Sequence, residues 1–222
     1  MKVLGILGTP HVQGNTVLLL DAALAGAAAA GAETEKINLA GLTLEFCVGC
    51  SKCHATGECI YDDDAEAIKT KMDAADGLLL GAPNYINNVP GQLKVLMDRC
   101  SQQVHLRKWL GKYGAAVATA GGSEEDRIAD YENEFLRICG AQTVGTATAL
   151  AAGMSALQDQ DAALAAAQAL GADLVAAIKE KRQYPDQLAQ IAVLTERMKM
   201  LVTYLAEHAP FQYEYWEKMG WL

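Results

Sequence analysis

The residues most able to do chemistry in this chain are cysteines. Four of its six fall in one run, Cys47-Val48-Gly49-Cys50-Ser51-Lys52-Cys53-His54-Ala55-Thr56-Gly57-Glu58-Cys59, spaced C-x2-C-x2-C-x5-C. Thiols this close cannot all pair as unstrained disulfides, because the bridge fixes both the separation and the direction of its two Cβ atoms. They can converge on one metal centre, and three readings stand open. A tight C-x2-C-x2-C loop suits an iron–sulfur cubane, whose irons take thiolate ligands. A zinc ion also takes four thiolates, but structural zinc sites usually draw them as two separated pairs. Unligated thiols, packed as small hydrophobes or serving as a redox switch, are the third. His54 reads as a loop residue, since the sulfurs already complete a tetrahedral set.

A second candidate is the loop Thr9-Pro10-His11-Val12-Gln13-Gly14-Asn15-Thr16. It joins a short apolar run to a helical pattern, so backbone N–H groups and the helix dipole both point at it, an arrangement that stabilises an anion. The loop is not G-x-x-x-x-G-K-[ST] and lacks the lysine that reaches β- and γ-phosphates. Nor is it the dinucleotide fingerprint G-x-G-x-x-G. A cradle of hydroxyls and amides without a fixed cation remains, suited to a single phosphate such as that of FMN. The alternative is an ordinary strand–helix loop capped by Asn15 or Thr16.

Two further segments carry candidates. Pro83-Asn84-Tyr85-Ile86-Asn87-Asn88 follows the most apolar run in the chain. In open α/β sheets ligands bind at the carboxyl ends of strands, so Tyr85 is placed to lie against a flat ring and the backbone around it to meet the ring edge. The alternative is a Pro/Asn turn with a surface tyrosine. Gly121-Gly122 permits close backbone approach, and Ser123-x-x-Asp126 reads as a helix cap. Asp62-Asp63-Asp64 reads as a solvated helix start, and Asp98-Arg99 as a structural ion pair.

Periodicity supplies the elements that position these residues. Strands are expected over Lys2–Gly8, Glu33–Leu39, Asp76–Ala82, Tyr113–Ala120 and Thr143–Leu150. Helices are expected over Val17–Ala30, Asp62–Ala75, Pro90–Val104, Ala156–Lys179 and Pro185–Leu205. Their alternation implies an α/β fold with a doubly wound parallel sheet of order 2-1-3-4-5. The cysteine loop follows the second strand, whose carboxyl end would face the same rim as the Thr9 and Pro83 loops. With 222 residues, 51% of them hydrophobic, the chain can bury a full domain over 1–182. An extension over 183–222 ends in Phe211, Tyr213, Tyr215, Trp216 and Trp221, and is expected to dock on its own domain or to join subunits into a homodimer or homotetramer. A net charge of −9 argues against nucleic acid or an anionic membrane as partner. No secretory signal or membrane span is read, and a thiol-reducing cytoplasmic setting fits the clustered cysteines.

Several motifs together resemble one family. Gly8-Thr9-Pro10-x-x-x-Gly14-Asn15-Thr16, the Cys47–Cys59 run with Asp62-Asp63, Gly81-Ala82-Pro83-x-Tyr85 and Lys94-x-x-x-Asp98-Arg99 occur in the order seen in the NADPH-dependent FMN reductase branch of the flavodoxin-like superfamily. The compact cysteine run resembles the iron–sulfur flavoproteins of that branch. The resemblance implies a flavin-dependent oxidoreductase. It implies FMN phosphate contacts from Thr9, His11, Gly14, Asn15 and Thr16, with His11 standing where the family often has arginine. It implies ring contacts from Pro83, Asn84, Tyr85, Ile86 and Asn87, a further flavin-side loop at Thr119, Ala120, Gly121 and Gly122, and 4Fe–4S ligands Cys47, Cys50, Cys53 and Cys59. The implied partners are small-molecule or protein electron carriers such as NAD(P)H, ferredoxin or a quinone. The alternatives are an NAD(P)H-dependent FMN or quinone reductase without a cluster, or a flavodoxin-like electron carrier.

Overall fold

Short apolar runs alternating with amphipathic ones cannot bury their apolar faces alone; here they do so by stacking helices on both faces of one sheet. A computed structural model describes residues 1–222. In chain order the elements are β1 (Lys2–Leu7), α1 (Asn15–Ala29), β2 (Glu33–Asn38), α2 (Lys52–Thr56), α3 (Asp64–Ala74), β3 (Gly77–Pro83), α4 (Gly91–Arg99), α5 (Ser101–His105), β4 (Tyr113–Ala120), α6 (Glu125–Ile138), β5 (Gln142–Gly153), β6 (Ala156–Leu157), α7 (Gln160–Glu180), α8 (Pro185–Tyr204) and α9 (Pro210–Lys218). The sheet order is β2-β1-β3-β4-β5-β6. The first five strands run parallel, as expected for a flavodoxin-like fold, and β6 adds an antiparallel edge.

Alternation along β1 divides the core. Val3 and Leu7 join α1 and α7 on one face, while Leu4 and Ile6 join α3, α4 and α6 on the other. Each core holds 22 buried residues, so both faces are covered equally. Gly26 and Gly171 let α1 and α7 cross closely, because a Cβ on either would overlap a carbonyl of the other helix. By length and composition alone α7 could cross a membrane, although no span is expected where an alanine-rich stretch carries Gln168 and Asp173. Its apolar face, with Ala167, Leu170, Leu174 and Val175, is buried in the core it shares with α1.

Several boundaries differ from expectation. α1 begins at Asn15 behind Gly14, so neither Asn15 nor Thr16 is the N-cap, and no side chain caps the helix. The helix expected over Pro90–Val104 breaks at Cys100, whose ψ of 17° leaves the helical ladder. α6 starts behind Glu124 in the left-handed region at φ 68°, so Ser123 does not cap it. α7 starts later than expected because Ala156 and Leu157 pair with β5. The aromatic tail docks on its own chain: Trp216 of α9 is fully buried with Leu106, Met198 and Val202.

Candidate functional site

Parallel strands end on a common rim, and three loops meet there. Pro83 pairs with Thr119 across β3 and β4. Asn84 N donates to Thr119 O at 2.7 Å, and Asn84 Nδ2 to Ser123 O at 2.8 Å. Thr9, His11, Gly14, Asn15 and Thr16 line one groove of about 250 Å³ with Pro83, Asn84, Tyr85, Thr119, Ala120 and Gly121. Gln13, Ala151 and Met154 complete it and were not anticipated. The last two come from the end of β5 and the turn before β6, where nothing in the local pattern marks a site. Ile86, Asn87 and Gly122 do not line the groove. Asn84 Oδ1 accepts from Asn87 N at 2.7 Å, a turn that holds Ile86 and Asn87 at φ 53° and 57°. It leaves Ile86 fully exposed.

The groove contains no lysine or arginine. Its attraction for an anion lies in the N–H groups at the start of α1, which no side chain caps. Thr16 Oγ1 and Thr119 Oγ1 lie 2.7 Å apart and both residues are buried. One hydrogen bond uses one of their two hydroxyl protons, leaving the other available. Asn15 Nδ2 is tied to Gly153 O at 2.7 Å, whereas its Oδ1 is buried without a partner. A buried orphan acceptor is costly unless a donor arrives.

The cysteine pocket has a different construction. Cys47, Cys50, Cys53 and Cys59 all line one cavity of about 70 Å³, with Lys69, Arg99, His54 and Ser101 in its wall. Burial pushes the Cys53 thiol above its ordinary value, and the nearness of the other three thiols adds to it. The cations come from α3 and α4. Arg99 does not pair with Asp98, which binds Lys94 one turn back along α4. Instead Arg99 meets Asp63 at 2.6 Å, both side chains being 2% exposed, and its Nη2 donates to Cys59 Sγ at 3.2 Å. Asp63 thus has two roles: it caps α3 through Ala65 N at 3.1 Å and fixes the guanidinium plane. Burial pushes the Asp63 carboxyl up, but Arg99 and the Glu45 and Ala65 amides outweigh it and hold the carboxyl below its ordinary range.

His54 is not a free loop residue. Its Nε2 lies 2.9 Å from Ser101 Oγ, and its ring stacks on His105 at 4.3 Å. Burial first, then His105, pulls its pKa down to about 4. The remaining cysteines are inert by burial: Cys100 is pushed up to about 12 and Cys139 well above its ordinary value. The cysteine pocket and the rim groove share no lining residue. Within one chain the two cavities are thus lined by separate residues, and the cysteine loop is tied to the cap of α3, the end of α4 and α5.

The family profile of the NADPH-dependent FMN reductases matches residues 1–155. An iron–sulfur flavoprotein of Archaeoglobus fulgidus is 31% identical over 226 residues, covering 100% of both chains. One of Methanocaldococcus jannaschii is 43% identical over 139 residues, 61% of this chain and 72% of that one. The solved structure of a WrbA-like flavodoxin from Agrobacterium tumefaciens matches with a TM-score of 0.60 and 16% identity, over 82% of this chain and 98% of that one, a likeness of fold. The chain therefore belongs to the NADPH-dependent FMN reductase family, as a flavin-dependent oxidoreductase on the branch that the iron–sulfur flavoproteins occupy.

Proposed function

We propose that the chain is an FMN-dependent electron-transfer oxidoreductase whose rim groove holds FMN and whose Cys47, Cys50, Cys53 and Cys59 hold a 4Fe–4S cluster. The observation that carries the cluster is the single cavity lined by all four loop cysteines, with the buried cations Lys69 and Arg99 beside them. Four thiolates bring negative charge that a low-dielectric wall tolerates only when cations and N–H donors face it. All four cysteines line this one cavity, and their compact C-x2-C-x2-C-x5-C spacing differs from the two separated pairs that a structural zinc site usually draws.

In the groove, the uncapped α1 N-terminus with Thr9, His11, Gly14 and Thr16 takes the phosphate. Asn15 Oδ1 accepts from a ribityl hydroxyl, since an ionised phosphate has no proton to offer it. Tyr85 and the Pro83–Asn87 turn flank the ring, with Ile86 and Asn87 at its open edge and Thr119, Ala120, Gly121 and Gly122 opposite. When bound, FMN exchanges hydride or single electrons and the cluster single electrons, while the protein supplies position and electrostatics. NAD(P)H, a ferredoxin or a quinone are the electron partners, and the setting is cytoplasmic. Residues 1–182 form the flavin domain. Residues 183–222 add an assembly surface through Val193, Met200 and Tyr204, which α8 leaves exposed. That surface supports a homodimer or homotetramer.

Anaerobic purification with flavin, iron and sulfide analysis tests the reading. FMN and cluster iron in the same preparation are expected. FAD, or no flavin after gentle handling, overturns the groove assignment. Iron near zero with the four loop thiols open to alkylation leaves an FMN or quinone reductase without a cluster.

A further inference from the structure

The cysteine run contains one turn of regular structure, the five-residue α2. A helix that short has no stability of its own, so the loop's shape must come from what it rests on. Its upper support is α5: Gln102 Nε2 donates to Cys53 O at 3.0 Å and to Gly57 O at 3.1 Å. His54 adds its bond to Ser101 and its stack on His105. Yet α5 also has only five residues and needs support in turn.

That support is the C-terminal helix. Trp216 Nε1 donates to His105 O at 2.9 Å, and Gln212 Oε1 lies 3.2 Å from His105 Nδ1. Trp216 and Gln212 are both 0% exposed. Phe211 reaches the cysteine loop itself. A Cβ at Gly57 would lie 2.7 Å from its ring, so the ring sits flush on the bare backbone there. Gly57 also holds φ 82°, a conformation that L side chains rarely adopt, and so the loop turns back at the point where the tail touches it. The family profile ends at residue 155, well before α9.

We propose that α9 is the positioning element of the cysteine pocket: Phe211 on Gly57, and Trp216 and Gln212 on His105, hold Cys53 and Cys59 at the spacing that a cluster needs. This rests on the reading that the four cysteines are cluster ligands. The residues act through the loop and line no part of the cysteine cavity. The tail that looks like an appendage in sequence is thereby part of the metal site, and independent of the flavin groove.

Phe211→Ala and Trp216→Ala, made in the full chain and purified anaerobically beside wild type, test it. Iron per flavin is expected to fall at least twofold in both variants while flavin per chain stays unchanged. After iron is stripped from all three proteins, iodoacetamide is expected to label the loop thiols severalfold faster in the variants, with Cys100 and Cys139 still protected. Phe211→Tyr is expected to restore iron and slow labelling, which a general loss of stability would not predict. Unchanged labelling and iron in Phe211→Ala overturn the proposal. If Trp216→Ala loses flavin as well, the fold has failed, and the half-buried Phe211 carries the test alone. Absence of iron from wild type overturns the cluster reading instead, and the labelling contrast still decides the clamp.

Discussion

The rim groove and the cysteine pocket answer the same need, holding a charged group, in opposite ways. The groove is made from ends of regular elements: β1, β3 and β4 stop on one rim, and the start of α1 supplies N–H groups without any fixed cation. The cysteine pocket is made from an irregular loop, and its order is imported. Arg99 and Asp63, 36 residues apart, fix Cys59, and the tail fixes α2. A site on rigid elements inherits its geometry from the fold. A site on a loop depends on each tertiary contact, so single changes reach it more easily.

The largest contrast is expected from the ligands. Changing any one of Cys47, Cys50, Cys53 or Cys59 to Ser removes most of the iron, because serine offers a harder oxygen, while FMN content stays at the wild-type level. Cys100→Ser costs packing and leaves iron untouched. Loss of FMN together with iron in the loop variants would show that the two sites are not separate.

Next comes the buried pair. Arg99→Met leaves Asp63 in a dry wall without its cation, and a stability loss of about 3 kcal/mol is expected in urea unfolding. Iron falls with it, since Cys59 loses its N–H donor. A variant as stable as wild type would mean that water reaches Asp63 and that the pocket is wetter than its burial indicates.

The groove is expected to respond more locally. Asn15→Ala combined with Thr16→Ala weakens FMN binding by about 1.5–3 kcal/mol for the Thr16 bond to the charged phosphate and about 0.5–1.5 kcal/mol for the neutral Asn15 bond to a ribityl hydroxyl, with iron retained. Flavin titration of the stripped protein measures this. Unchanged affinity would put the phosphate elsewhere.

The smallest effect lies outside both sites. Glu132 is fully buried with neither carboxylate oxygen bonded, and burial raises its pKa well above the ordinary 4.5. The folded state therefore binds a proton that the unfolded state releases, so the contribution of Glu132 to stability is most favourable below pH 4.5 and declines as pH rises from there. Glu132→Gln flattens that decline. Melting temperatures of the two proteins are expected to diverge with rising pH, and parallel curves would show that Glu132 has a partner in solution.

Much of the groove was legible because its signals are local. The run Tyr113–Ala120 is a strand in sequence and in structure, and the loop Thr9–Thr16 sits where a strand meets a helix. The failures in the groove are local backbone choices that side-chain type does not dictate. Gly14 took the cap from Asn15, and the Asn84 turn carried Ile86 out to solvent. In the cysteine pocket the sequence marked the sulfurs but not their surroundings. Asp98-Arg99 looked like one pair, yet a helix points adjacent residues in different directions, so Asp98 met Lys94 and Arg99 turned into the core.

By itself the sequence determined the alternation of strands and helices, the parallel order that follows from it, and the two sets of residues with chemistry in them. Hydrophobic period and ligand spacing act over a few residues, so they are readable there. Only the tertiary structure decided which cations stand beside Cys59, that the cysteine pocket shares no lining residue with the groove, and that the aromatic tail packs on the loop. Those outcomes depend on which distant surfaces bury one another, such as Trp216 against Leu106, and no local pattern encodes that choice.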